Sequence, residues 1–234
     1  MYNCIFPDVA DSAGNRANRG QSMSEGKSNG RRHCLIVSCH PLADSLCNHL
    51  VARVSKAFTG ADIEIEHLDL YESDFVAPLS AAERRGYHSG EFDSSALTEE
   101  IAALQRAEIL VLIFPTWWFG MPALLKGWFD RVWAPGIAFD QPHKVGERIT
   151  PKLDGLKQCL VITTLGSPWW VDRLVVRRPL KRILKWALIG VCAPTARFEM
   201  LSVYSAMALD QRRLNRFLRR IDKAVKGIVQ RCSP

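Results

Sequence analysis

The sequence predicts an α/β domain built on a doubly wound parallel sheet, and three observations carry that prediction. Short apolar runs alternate along the chain with amphipathic stretches of helical period. The run Ile109-Leu110-Val111-Leu112-Ile113-Phe114 is apolar at every position, as in strands covered by helices on both faces. The 234 residues, 47% hydrophobic and 24% charged, suit one α/β domain or two small ones with a substantial core.

Each element follows from its own signals. Residues 1–32 are rich in Ser, Asn, Gly, Asp and Arg and poor in large apolar side chains, so they read as a flexible extension that cannot repay the entropy of ordering. Cys34-Leu35-Ile36-Val37-Ser38 reads as the first strand. A helix from about Asp44 to Phe58 follows, with Leu46, Leu50, Val54 and Phe58 on one face. Ile63 to His67 alternates as a second strand, and residues 70–97 read as an irregular polar excursion. A helix from Ser95 to Ala107 leads into the apolar third strand. Pro122 then opens a helix that runs to about Trp133. Cys159 to Thr163 is the fourth strand, followed by a basic helix from Pro179 to Ile189 that ends at Gly190. Pro194 to Met200 reads as a fifth strand and Asp210 to Val229 as a final amphipathic helix. Five strands alternating with helices imply right-handed crossovers.

Charge and cysteine content narrow the function classes. The net charge is +7, but Arg173 to Pro234 holds 15 Lys+Arg and 3 Asp+Glu, a net of +12, which leaves −5 on the rest. No nucleic-acid-binding motif accompanies this surplus, so no nucleic-acid partner is expected. The seven cysteines are scattered and form none of the paired spacings of zinc or thioredoxin sites. No metal site is expected, and a reducing cytoplasm is the expected location. No apolar run reaches the roughly 18 residues of a membrane helix.

Chemistry in such a sheet belongs to the loops beyond the carboxyl ends of the strands. After the first strand, His40, Ser45 and the amides opening the helix suit a phosphate, although Asp44 or Ser45 also serves as a simple N-cap. After the third, Trp117, Trp118 and Phe119 stand together at a strand end. A flat heteroaromatic ring, a subunit interface or the core itself would cover them. After the fourth, Thr163, Thr164 and Gly166 offer hydroxyls and amides to the polar edge of a ring.

His40-Pro41 with Ser45, the block from Pro115-Thr116-Trp117-Trp118-Phe119-Gly120 through Lys126-Gly127-Trp128-Phe129-Asp130-Arg131-Val132, and Thr163-Thr164-Leu165-Gly166-Ser167 together resemble the flavodoxin-like NAD(P)H:quinone oxidoreductases. The resemblance spans roughly residues 33–230 and rests chiefly on the long middle block. It implies a three-layer flavodoxin-like fold with strand order 2-1-3-4-5. It also implies a homodimer, bound FAD or in some relatives FMN, and two-electron ping-pong reduction of a quinone-like acceptor by NADH or NADPH. Carried over by residue, His40, Ser45, Leu46 and Cys47 match the flavin diphosphate and ribityl loop. Pro115, Thr116, Trp117, Trp118 and Phe119 match the loop lining the isoalloxazine, although the animal enzymes have a polar residue where Trp117 stands. Thr163, Thr164, Leu165 and Gly166 match the loop at its N1 and O2 edge, with Leu165 replacing a glycine. Ser167-Pro168-Trp169-Trp170-Val171-Asp172-Arg173 supplies neither the Tyr nor the His that animal relatives carry downstream, so the resemblance assigns no catalytic acid or base.

Trp169 and Trp170 read either as further walls of the pocket or as core or dimer packing. The basic run Arg173, Arg177, Arg178, Lys181, Arg182 and Lys185 has three readings. It could pair with cofactor phosphates, dock to an acidic protein or membrane surface, or be a solvated helix face with Val176, Leu180, Ile183 and Ala187 turned inward. Besides an enzyme, two other classes fit: an electron carrier, which the basic charge disfavours, and a regulatory partner such as the ancillary subunit of a membrane transporter.

Overall fold

The computed structural model describes residues 31–89, 92–141 and 148–232. Residues 1–30, nearly all of the expected extension, lie outside them. The chain runs β1 (Arg32–Ser38), α1 (Leu46–Phe58), β2 (Ile63–Asp69), α2 (Ala81–Ser89), α3 (Thr98–Arg106), β3 (Ile109–Pro115) and α4 (Ala123–Val132). A two-stranded ribbon of β4 (Phe139–Asp140) and β5 (Thr150–Pro151) precedes β6 (Gln158–Thr164), α5 (Pro179–Arg182), α6 (Gly190–Cys192), β7 (Arg197–Val203) and α7 (Gln211–Cys232).

The five long strands form one parallel sheet in the order β2-β1-β3-β6-β7. With the short ribbon set aside this is the expected order 2-1-3-4-5. The reversal between β1 and β3 places a switch point at their carboxyl ends. Strand alternation divides the interior into two cores. Leu110, Leu112 and Phe114 of β3 pack with Leu125, Trp128 and Leu184 on one face. Ile109, Val111 and Ile113 pack on the other with Leu50, Val54, Phe217 and Ile221 of α1 and α7. Burial on both faces is why β3 reads as a continuous apolar run.

Three expectations are corrected. The excursion over residues 70–97 contains helix α2, which polar composition hides because its anchoring is ionic: Glu83 and Arg131 are each 8% exposed and pair at 2.6 Å. Gly190 does not end the basic helix. Its φ of −63° is helical, the helix continues to Cys192, and a Cβ there would come within 2.8 Å of the Lys185 carbonyl oxygen. Residues 183–189 are wound as a π-helix; Leu180 is buried as expected, but the wider turn buries Leu184 and Ile189 in place of Ile183 and Ala187. Ile183 is therefore 45% exposed, and Ala187 is exposed too. Finally, β7 begins at Arg197 and runs to Val203, three residues beyond the expected end.

Candidate functional site

The candidate loops meet along one edge because parallel pairing aligns their strands. Pro115 pairs with Thr164 and Thr164 with Val203 at the carboxyl ends of β3, β6 and β7. The connection from β3 is tied to that after β6 by the Thr116 N–H, which donates to the Thr164 carbonyl at 2.8 Å. A second tie joins the Thr116 and Thr163 hydroxyls at 2.6 Å. The buried Cys47 thiol of α1 interacts with the Thr164 side chain strongly enough to offset part of its upward shift, which puts the start of α1 beside the same place. The Cys39 N–H, just past β1, donates to the Ile113 carbonyl at 3.1 Å.

The loop after β1 is held by its own polar side chains. Ser45 caps α1, its hydroxyl accepting from the Asn48 N–H at 3.2 Å, while the Asn48 amide donates to the Leu42 and Ala43 carbonyls. The first-turn N–H groups of Leu46 and Cys47 are of the kind that has no partner within a helix. His40 Nδ1 accepts from the Leu42 N–H at 3.1 Å. Partial burial holds the imidazole below its ordinary pKa, against the carboxylates of Asp44 and Asp69, which pull it up. Cys39 and Cys47 are 0% and 1% exposed, and burial above all pushes both thiols up to about 12. Both stay protonated near neutrality and turn into the protein.

The loop after β3 is a tight hairpin. Trp117 and Gly120 exchange backbone hydrogen bonds at 3.3 and 2.9 Å, leaving Trp118 and Phe119 as the two-residue turn. Their φ values are 51° and 57°. Two positive φ values match the type I′ turn, which ordinarily takes Asn-Gly, and two bulky aromatics there hold backbone strain. Trp118 is 100% exposed and Trp117 43%, so neither belongs to the core. Pro115, at the end of β3, is buried. Trp169 and Trp170, at 52% and 49% exposure, do not belong to the core either.

In the loop after β6, Thr163 and Leu165 are buried and Gly166 is exposed. A Cβ built on Gly166 meets nothing within 4 Å, so the space over it is open. The Ser167 hydroxyl oxygen is buried without a partner. Two contributions escape the sequence reading. One is that orphaned hydroxyl. The other is the loop after β7, where the Ser205 N–H donates to the Ser167 carbonyl at 3.0 Å and the Ala206 N–H to the Leu165 carbonyl at 2.9 Å. A correct end for β7 at Val203 would have flagged Tyr204-Ser205 as a fourth loop on this edge.

A family model described as a flavodoxin-like fold matches residues 32–217. The chain belongs to this family. An uncharacterized NAD(P)H oxidoreductase of Escherichia coli strain K12, YcaK, is 31% identical over 111 residues, which cover 47% of this chain and 57% of that relative. The chain thus matches little more than half the length of that relative. The structure of an NAD(P)H:quinone oxidoreductase from Methanothermobacter marburgensis is 26% identical and covers 85% of this chain and 98% of its own, with a TM-score of 0.70. An FMN-dependent NADH-azoreductase from Bacillus anthracis, solved in complex with FMN, shares the flavodoxin-like fold at 18% identity and a TM-score of 0.67, over 85% of this chain and 100% of its own.

The edge fits a flavin on this chain's own features. Exposed aromatic surface stands at the switch point, an unpartnered hydroxyl and open space lie at Ser167 and Gly166, and helix-opening amides lie at Leu46 and Cys47.

Proposed function

We propose that the chain is a flavin-dependent NAD(P)H oxidoreductase that passes hydride from NADH or NADPH, by way of bound FAD or FMN, to a quinone-like acceptor. The observation that carries this reading is the Trp117–Gly120 hairpin. A fully exposed indole on left-handed backbone weakens the free chain, and a flat heteroaromatic ring against it would offset that cost. The names of the relatives support the same class of donor and acceptor.

Bound flavin supplies the two-electron chemistry, taking hydride from the nicotinamide and yielding it to the acceptor. Trp118 and Phe119 hold one side of the ring and keep water off it, and Pro115 and Thr116 form the floor at the sheet edge. Thr164, Gly166 and Ser167 offer hydroxyls and N–H donors to the ring's polar edge, where fixed dipoles best hold developing negative charge. His40, Ser45 and the first-turn amides of Leu46 and Cys47 hold phosphate at the positive end of α1. The thiols of Cys39 and Cys47 stay protonated and are therefore poor nucleophiles toward a bound ring. A single site used by donor and acceptor in turn would give ping-pong order. A second copy covering Trp118 would complete the pocket as a homodimer, and the six cysteines among the described residues, free and buried, suit a reducing cytoplasm.

The test is spectroscopic. The purified protein should be yellow or take up FAD or FMN, bleach anaerobically with NADH or NADPH, and recolour with a soluble benzoquinone. Chromatography of the flavin released on denaturation identifies which one is held. Colourless protein that takes up neither flavin would refute the reading.

A further inference from the structure

The sheet ends on β7, which pairs on one side only, with β6. The Arg197 N–H donates to the Lys157 carbonyl at 2.9 Å, and the Val203 carbonyl accepts from the Leu165 N–H at 2.9 Å, so both residues turn their main chain toward β6. Strand alternation gives Glu199 and Leu201 the same direction and turns the N–H and C=O groups of Phe198, Met200 and Ser202 outward. Ser202 is 7% exposed, whereas Phe198 and Met200 are only half-buried, so the open part of the edge is its amino half. Among the described residues no strand pairs with it.

A groove of about 610 Å³ runs between this strand and α7. Arg197, Arg220, Lys223, Lys226 and Arg231 line it, all exposed, against one acid, Glu199. No ion pair among the described residues holds any of the five cations. Arg231 donates to the neutral side-chain oxygen of Gln158 at 3.2 Å.

An unpaired row of main-chain donors and acceptors thus lies beside cations without counterions, and a bare edge of this kind is a template for a further strand. A second copy joined edge to edge about a two-fold axis would use the main chain but set one cation row beside the other. A nucleic acid would neutralise the cations and leave the main chain unused. An extended peptide with acidic side chains toward α7 answers both requirements. Phe198 and Met200 pack toward the opposite face, so the alternate side chains of such a peptide would meet apolar neighbours there.

We propose that the β7 edge and the basic groove beside α7 dock an extended segment of a partner protein in which acidic residues alternate with aliphatic ones. The docking face lies along the side of the sheet, apart from the loops at the strand ends, and its occupancy does not depend on bound flavin.

The probe is a fluorescein-labelled peptide, Glu-Val-Glu-Val-Glu-Val, titrated with the full chain and read by fluorescence anisotropy. Saturable binding below about 100 μM is expected, weakening with added salt, and none with the Lys-Val counterpart. Two further peptides carry N-methyl groups on alternate amides, one on the glutamate set and the other on the valine set. Only one set faces β7, so one methylated peptide should lose roughly tenfold in affinity while the other keeps it. Replacing Arg197, Lys223 and Lys226 together by Gln should weaken binding by about a factor of ten, or roughly twofold per charge. That variant should keep the parent urea midpoint, since all three side chains are exposed. No saturable binding, equal binding of the Lys-Val peptide, equal affinity for the two methylated peptides, or binding that survives the triple replacement would overturn the proposal. So would displacement of the peptide by an equimolar single-stranded DNA oligonucleotide, which would assign the groove to nucleic acid. Rapid disulfide-linked dimerisation of Met200→Cys, beyond that of the parent chain, would overturn it as well and assign the edge to a second copy.

Discussion

Replacing Trp118 by glycine should raise the stability of the flavin-free protein and weaken its grip on flavin. Trp118 is 100% exposed, so truncation removes no packing within the chain. Its φ of 51° costs a residue with a Cβ roughly 1–2 kcal/mol, which glycine escapes. Glycine returns about 0.5–1 kcal/mol of that through the extra freedom of its unfolded chain. The balance favours the variant by up to about 1.5 kcal/mol. Ring binding moves the other way, because a stacked indole contributes about 0.5–1.5 kcal/mol beyond the area it covers. Together with that area, its loss should raise the flavin Kd about tenfold or more. Urea unfolding of the apoprotein, followed by far-ultraviolet circular dichroism, reads the first effect, and titration of flavin fluorescence reads the second. Trp118→Phe is the control, since it keeps both the strain and part of the wall. A lower urea midpoint for Trp118→Gly would show that the hairpin holds no strain, and unchanged flavin affinity would remove Trp118 from the ring site.

Three further outcomes are expected. Gly127→Ala should destabilise the fold despite a helix-propensity gain of about 1 kcal/mol, because its Cβ would meet the Ala77 carbonyl oxygen at 2.3 Å, and forcing a methyl into such packing costs roughly 1–3 kcal/mol; a higher melting temperature would contradict this. Arg131→Ala should cost about 3–5 kcal/mol, since it leaves Glu83 buried without its partner. Burial opposes ionisation of Glu83, but the Ser80 amide and hydroxyl and the Arg131 guanidinium together hold its pKa below the ordinary value. Its stabilisation is therefore present above the unfolded-state pKa and lost as pH falls through the folded one, a loss that acid titration of Arg131→Ala should show only in reduced form, since the Ser80 bonds remain. Finally, burial pushes Cys39, Cys47 and Cys159 up to about 12 and Cys192 up to about 11, so these thiols should react with a disulfide reagent near pH 8 only as the protein unfolds; prompt labelling of Cys47 in the native state would contradict its placement.

The parts of the fold legible in the sequence are those whose physics is local and periodic. The strand Ile109–Phe114 is apolar at every position because both faces are covered, and α1 shows Leu46, Leu50, Val54 and Phe58 at helical spacing because one face is. The parallel sheet follows from that alternation, while its strand order and the site spread over three loop tips were implied by the family resemblance. Helix α2 was not legible: its anchor is the ion pair of Glu83 with Arg131, 48 residues apart, which no window of local hydrophobicity contains. The inward face of the basic helix was misread because a 3.6-residue period does not describe the π-wound turn at residues 183–189. Composition and order along the chain thus determined the layers, the sheet and which loops share an edge. Tertiary structure alone decided that Trp118 stands bare on strained backbone, that Cys47 turns inward, and that Ile183 turns outward. Exposure depends on what distant segments leave uncovered, and no single segment carries that information.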